Sequence, residues 1–168
     1  RISRFRCHGV KVDLWQSGFH AQGDLIDFSH RAFRIIVVSD PSASFSWFNV
    51  EAPVTVRLFD GNEIFYAGDC TCLYQEQTGK HREIVISPKQ DRIQRFQSKR
   101  YRNPRRRSIP PIYAIFEHPF TKKTVQREIF DISTSGFSIC ETNGESILVP
   151  GLIIPNMIMS YAGVLKIH

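Results

Sequence analysis

The sequence predicts an all-β protein: two tandem, small antiparallel β-barrels joined by an arginine-rich linker. Three observations predict it. Apolar and polar residues alternate in short runs along most of the chain, turn residues separate those runs at close intervals, and a pattern at residues 25–35 recurs at residues 129–139. Alternation with a period of two marks a strand with one buried face, and many short strands with tight connections close into a barrel or sandwich.

Taken in order, the stretch from Gly9 to Trp15 reads as a strand, and the first copy of the repeated pattern follows it. Arg34-Ile35-Ile36-Val37-Val38 is a β-branched run ended by the loop signal Ser39-Asp40-Pro41. Val54-Thr55-Val56-Arg57-Leu58-Phe59 alternates, Asp60-Gly61-Asn62 turns the chain, and Glu63-Ile64-Phe65-Tyr66 resumes extended structure. The region from Cys70 to Ile86 supplies the last strands of the first barrel. Only residues 89–96 offer helical spacing, with Ile93 and Phe96 three apart. In the second half Ile112-Tyr113-Ala114-Ile115-Phe116-Glu117 and Gly136-Phe137-Ser138-Ile139-Cys140 read as strands, and His118 before Pro119 as a loop residue.

The expected organisation is therefore a degenerate barrel over residues 1–90, a linker over 91–107 and a second barrel over 108–168. Asp27 is followed by about sixty residues before the Pro88 region, but Asp131 by only thirty-seven before His168. The second barrel is thus expected to lack its last strands here. A sheet ending there would leave an edge unpaired, so the native polypeptide is expected to continue past His168, where an output domain could lie.

Hydrophobic residues make up 42% of the chain and charged residues 23%, the balance of an ordinary globular protein. No apolar run approaches the ~20 residues that span a bilayer. Residues 147–158 are the most apolar, but prolines interrupt them, and no long apolar stretch follows Arg1-Ile2-Ser3-Arg4-Phe5-Arg6. No signal peptide or membrane segment is read, and the cytoplasm is the expected compartment.

The net charge of +6 is local. Residues 1–91 hold ten basic and eleven acidic side chains, and residues 108–168 hold four and five. The sixteen positions between carry eight basic residues and no acid: Arg92, Arg95, Lys99, Arg100, Arg102, Arg105, Arg106 and Arg107. A protein that coats a duplex spreads its charge over a face or groove. A single strap favours a compact anion. Seven of the eight are arginines, whose planar guanidinium stacks on purines and grips guanine O6 and N7 with two bonds.

Arg102 and Arg106 form an RxxxR pair. Twenty-five residues beyond Arg106 stands Asp131-Ile132-Ser133-Thr134-Ser135-Gly136, a DxSxxG sequence. Asn103-Pro104 argues against a helical turn between the two arginines, so they are expected to project from a turn that wraps a ligand. Asp131 suits the N1–H and N2–H edge of guanine, Ser133 a phosphate oxygen or a local turn, and Gly136 a close approach of ligand to backbone. Taken alone, DxSxxG is a common strand-end turn.

Preceded by RxxxR in a β-rich chain, DxSxxG resembles the signature of the PilZ family. That resemblance implies a receptor for the bacterial messenger cyclic di-GMP, with Arg102 and Arg106 on guanine and phosphate and Asp131, Ser133 and Gly136 completing the site. Arg105 and Arg107 flank the pair and add electrostatic pull. No cofactor is expected beyond that ligand. The function read from this is an effector module that changes its inter-domain arrangement on binding, through ordering of the strap, and so regulates a process such as motility, adhesion or biofilm formation. A protein target or a C-terminal output domain would receive the signal.

The repeat extends the resemblance to the first half. Asp27 aligns with Asp131, Ser29 with Ser133, Phe33 with Phe137 and Ile35 with Ile139. Ala32 replaces Gly136, and Arg1, Arg4 and Arg6 do not make the RxxxR spacing. The first copy is read as a PilZ-like scaffold without a nucleotide of its own.

Other classes find less support. There is no GxSxG, P-loop, HExxH or GxGxxG sequence, the six histidines are scattered, and Cys140 beside Glu141 has no histidine near it in sequence, so no enzyme is expected. Cys70 and Cys72 fall on one face of a strand and, with Cys7 and Cys140, read as buried reduced thiols rather than metal ligands. The alternative function is a barrel that binds single-stranded nucleic acid through aromatics, 12% of the chain, beside arginines. Trp15, Trp47 and most phenylalanines fall at alternating positions where burial is expected, which disfavours a nucleic-acid partner. A protein-binding adaptor, whose strap recognises an acidic partner, is a third class. The oligomeric state is not set by the sequence.

Overall fold

The computed structural model describes residues 3–38, 45–89, 104–141, 146–161 and 165–167. Of the helical spacing read over residues 89–96, all but Lys89 lies outside the described residues, as do the Ser39-Asp40-Pro41 loop, Arg102 and the linker before residue 104. Within them the protein is all-β, apart from a 3-10 turn at Phe45–Trp47.

The first sheet is made of β1 (Phe5–Arg6), β2 (Lys11–Gln16), β3 (Phe19–Ser29), β4 (Ala32–Val38), β5 (Val54–Asp60), β6 (Glu63–Thr78) and β7 (His81–Pro88). Its order is β1-β3-β2-β5-β6-β7-β4, and β3 also pairs with β4, which closes six antiparallel strands into a barrel with β1 added outside the ring. Closure is possible because β3 is long enough to pair with β2 over residues 19–24 and with β4 over 23–29. Gly23 sits at the changeover. A Cβ there would lie 2.5 Å from the Ile36 carbonyl oxygen, so only glycine lets β4 approach.

Alternation in the sequence becomes inside and outside. Val12 and Leu14 of β2, Phe33 and Ile35 of β4, Val54, Val56 and Leu58 of β5, and Ile84 and Ile86 of β7 are all buried in one core. The hairpin turns have the backbone their residues allow. Ser17 and Gly18 both take positive φ (52° and 84°) between β2 and β3, and Gly61 does so (56°) between β5 and β6.

The second sheet contains β8 (Ile112–Glu117), β9 (Thr124–Ser133), β10 (Gly136–Ile139), β11 (Met157–Tyr161) and β12 (Leu165–Ile167), in the order β10-β9-β8-β11-β12. This is the succession β4-β3-β2-β5-β6 of the barrel over again. A counterpart of β7, which bridges β6 to β4, is not found among the described residues, and the second sheet is open there.

The repeat holds at the level of single pairs. Asp27↔Arg34, Phe28↔Phe33 and Ser29↔Ala32 in the β3–β4 hairpin correspond to Asp131↔Ser138, Ile132↔Phe137 and Ser133↔Gly136 in the β9–β10 hairpin. Both ladders then slip by one residue at the equivalent place, past Ile26 and past Phe130. The incoming segment repeats too. Phe5 pairs with Phe28, and Arg106 bridges to Ile132, the residue equivalent to Phe28.

Two connecting segments of the second half enter the barrel core. The Phe120 ring, carried by the connection between β8 and β9, is fully buried among Phe28, Phe33 and Phe65 of the barrel, and Val149 joins the same cluster. His8 N–H donates to the Phe120 carbonyl at 3.0 Å, and Lys122 reaches Asp60 at 2.9 Å. His118 is a loop residue as expected, yet it too is buried. Its ring stacks on Phe28 at 5.2 Å, Nε2 lies 2.9 Å from the Ile147 carbonyl, and Nδ1 accepts from the N–H groups of Phe120 and Thr121. With Nδ1 as acceptor, Nε2–H is the donor to Ile147, so the neutral imidazole is the form that satisfies every contact.

Burial pushes the His118 imidazole below its usual 6.5, against a smaller upward pull from its backbone bond to Ile147. The unfolded chain therefore takes up a proton first as pH falls, and the stability His118 contributes, complete above about pH 6.5, is lost as pH drops toward the lowered folded value. The urea midpoint is expected to fall between pH 7 and 5, and His118→Gln to flatten that slope. An equal slope in the variant would assign the pH dependence to other groups.

Cys70 and Cys72 are buried free thiols, and burial pushes Cys70 up to about 12. Among the described residues no group of three or more His, Cys, Asp or Glu side chains is placed to hold a metal. No helix there is long and apolar enough to cross a membrane.

Candidate ligand site

The β9–β10 hairpin carries the DxSxxG residues. Ser133 Oγ accepts from the Ser135 N–H at 3.3 Å and donates to the Gly136 carbonyl at 3.1 Å, so this hydroxyl shapes the two-residue turn. Ser29 Oγ does the same for Arg31 N–H in the first copy, at 3.3 Å. Gly136 has φ of +147°, a region in which a side chain is strained, and a Cβ there would meet nothing within 4 Å. Ala32, at the equivalent position, is not among the positive-φ residues. At this hairpin position, only the second copy keeps a glycine-only backbone facing open space.

Asp131 projects from β9 opposite Ser138. The Ser138 hydroxyl donates to Oδ1 at 2.6 Å, and the Arg105 guanidinium reaches the same oxygen at 2.8 Å. The Ser138 bond is the larger cause holding the carboxyl below the usual carboxylate range. Slight desolvation opposes it, and Arg105 adds to it. Asp131 is therefore a firmly ionised acceptor. The pair with Arg105 is open to solvent, with side-chain exposures of 45% and 22%, so it is weak.

Arg106 is delivered by the main chain. Its N–H and C=O exchange bonds with those of Ile132, both at 3.0 Å, which extends the β9 edge by one residue and lays the arginine segment along the hairpin. The Arg106 side chain is exposed, and the Arg107 guanidinium stands over the Phe130 ring at 5.5 Å. Of the residues singled out from the sequence, Arg105, Arg106, Arg107, Asp131, Ser133 and Gly136 lie on one hairpin and the segment beside it. Arg102 lies outside the described residues. The carboxylate's cation is Arg105, which the sequence placed only as a flank. Ser138 was missed, although counting back from the Ser133-to-Gly136 turn would have set it opposite Asp131.

The first copy shows what replaces these groups. Asp27 is held by Arg34, its cross-strand partner, with Nε at 2.8 Å, and Arg34 occupies the place of Ser138. Phe5 stands where Arg106 stands, with its ring 5.5 Å from Phe28. The missing RxxxR spacing at the N-terminus has this structural counterpart: an aromatic ring packs where the second copy presents a cation.

No family model and no curated protein matches the sequence. Among solved structures, the chain is similar to MrkH, described as a c-di-GMP-dependent transcription regulatory factor, at 15% identity and a TM-score of 0.33 over 95% of this chain and 63% of that one. It is similar to YcgR of Escherichia coli in complex with c-di-GMP at 12% identity and a TM-score of 0.34, covering 95% and 66%. A third similarity is to PlzA of Borreliella burgdorferi in complex with c-di-GMP, at 10% and 0.36, covering 94% and 72%. The chain spans slightly less than two thirds of the length of the first two. On its own residues, the RxxxR segment bridged to a DxSxxG hairpin and a repeated barrel strand order, this chain resembles the PilZ family in two tandem copies.

Proposed function

We propose that this chain is a cyclic di-GMP-binding receptor module, in which residues 91–107 join a barrel over 1–90 to a second unit over 108–168. The observation that carries the reading is the pair of backbone bonds between Arg106 and Ile132, which brings the arginine segment to the carboxylate of Asp131. A guanine docked there exchanges the exposed Arg105–Asp131 pair for its own N1–H and N2–H donors, while Arg102 and Arg106 take O6, N7 and phosphate oxygens. The space in front of Gly136 admits the ligand to the backbone. Arg105, released from Asp131, turns to phosphate. Cyclic di-GMP is the ligand with which YcgR and PlzA were solved.

Ligand phosphates relieve the repulsion among the eight neighbouring cations of the strap. The second sheet then shifts against the barrel about the connection that seats Phe120, and a protein target or an output domain reads that shift to regulate a process such as motility, adhesion or biofilm formation. No catalytic step belongs to this reading.

Calorimetric titration of cyclic di-GMP and of a single-stranded oligonucleotide at two salt concentrations tests it. Saturable cyclic di-GMP binding that loses little affinity with salt is expected, with weak, steeply salt-dependent oligonucleotide binding and a scattering profile that changes at saturation. A chain that ignores the dinucleotide but holds the oligonucleotide is a nucleic-acid-binding barrel instead.

A further inference from the structure

A second cluster of cations has no part in the hairpin site. Arg4 before β1 and Arg6 in it, and Lys123 before β9 and Arg127 in it, line one cavity of about 570 Å³ together with His8. No acidic side chain lines it, and none of the four cations forms an ion pair among the described residues. The walls are fixed to each other, because His8 N–H donates to the Phe120 carbonyl at 3.0 Å and so ties the β1 arm to the connection that leads into β9. Phe5 and the buried Val125 add apolar surface to the lining.

The internal repeat explains how these arginines became available. Arg4 and Arg6 flank Phe5 as Arg105 and Arg107 flank Arg106, so Arg4 is the counterpart of Arg105. In the second copy that position is neutralised by Asp131 at 2.8 Å. In the first copy Arg34 has taken over Asp27, leaving Arg4 without its carboxylate and gathered instead with Lys123 and Arg127. Four like charges held around one cavity repel one another, and a multivalent anion removes that repulsion. Guanidinium forks with an adjacent ammonium match the tetrahedral oxygens of phosphate better than a single carboxylate, and the volume is that of a small-molecule site.

We propose that this cleft between β1 and β9 is a second binding site, built jointly by the two sheets, for a compact phosphate-bearing ligand of nucleotide size. It uses none of the DxSxxG residues, so it stands or falls separately from the reading above.

The test uses inorganic pyrophosphate with the 168-residue chain, followed by the NMR signals of the His8 imidazole and the amides of residues 124–127. Saturable shifts at these positions are expected. The double variant Arg4→Ala, Lys123→Ala is expected to weaken them at least about tenfold, and Arg127→Gln to act in the same direction, whereas Arg106→Ala with Asp131→Ala leaves them unchanged. All three cleft side chains lie outside the buried core, and a thermal melt equal to that of the parent confirms folding. Absent shifts, shifts indifferent to the cleft variants, or shifts abolished by the hairpin variants overturn the proposal. An oligonucleotide that displaces pyrophosphate at far lower concentration, with steep salt dependence, overturns the compact ligand in favour of a long polyanion.

Discussion

Alanine at Asp131 or at Arg106 is expected to lower cyclic di-GMP affinity by about ten- to a hundredfold each, since a hydrogen bond to a charged group contributes about 1.5–3 kcal/mol. The melting temperature should not follow. Among the described residues Asp131 engages only Ser138 and Arg105, in a solvent-open setting, and Arg106 holds its place through main-chain bonds that alanine retains. Calorimetry on the folded variants separates the two readouts. Arg105→Ala is expected to cost less, because part of what it removes is a pair that the ligand must break in any case. Binding equal to that of the parent in both Asp131→Ala and Arg106→Ala would place the ligand away from this hairpin.

Phe120→Ala is expected to destabilise the whole chain by about 3–5 kcal/mol, the usual effect of emptying a phenylalanine-sized space in a core. The residue belongs by sequence to the second half, but its ring packs edge-on to Phe28 at 5.2 Å and lies 6.0 Å and 6.4 Å from Phe33 and Phe65. Both tryptophans, Trp15 and Trp47, lie in the first half, so their fluorescence reports on the barrel. A urea transition monitored by tryptophan should therefore move to lower denaturant when a residue of the second half is truncated. A tryptophan transition left in place, with loss of structure confined to the second sheet, would show that the barrel core stands without that ring. The same anchor bears on the proposed switch, because a movement that keeps Phe120 seated is a pivot rather than a separation.

Strand identity was legible because it is written locally. Val54, Val56 and Leu58 alternate with polar neighbours, and the same three residues face the barrel interior. The Asp-x-Ser pattern at 27–29 and 131–133 predicted two related hairpins, and the register confirms them residue by residue, down to the slips past Ile26 and Phe130. Asp13 was not legible as a buried residue. It lies on the outward face of β2, yet is only 1% exposed because Arg57, His20 and Gln22 close over it from neighbouring strands. Burial would raise its pKa, but these hydrogen bonds outweigh it and hold the carboxyl below its usual range. Pairing of this kind depends on which strands lie side by side, and periodicity says nothing of that.

From the order of residues alone came the all-β class, the doubling of one strand pattern, the confinement of the net positive charge to a single strap, and the DxSxxG turn with its arginines. All of these depend on neighbours a few positions apart, where backbone preference and side-chain alternation act. Tertiary structure decided that Arg105 rather than Arg106 meets Asp131, that Phe5 fills the first copy's arginine position, and that His118 and Phe120 leave a loop to complete another sheet's core. Those outcomes turn on contacts between residues up to about a hundred positions apart, which form only once strand pairing and packing have brought distant segments within bonding reach.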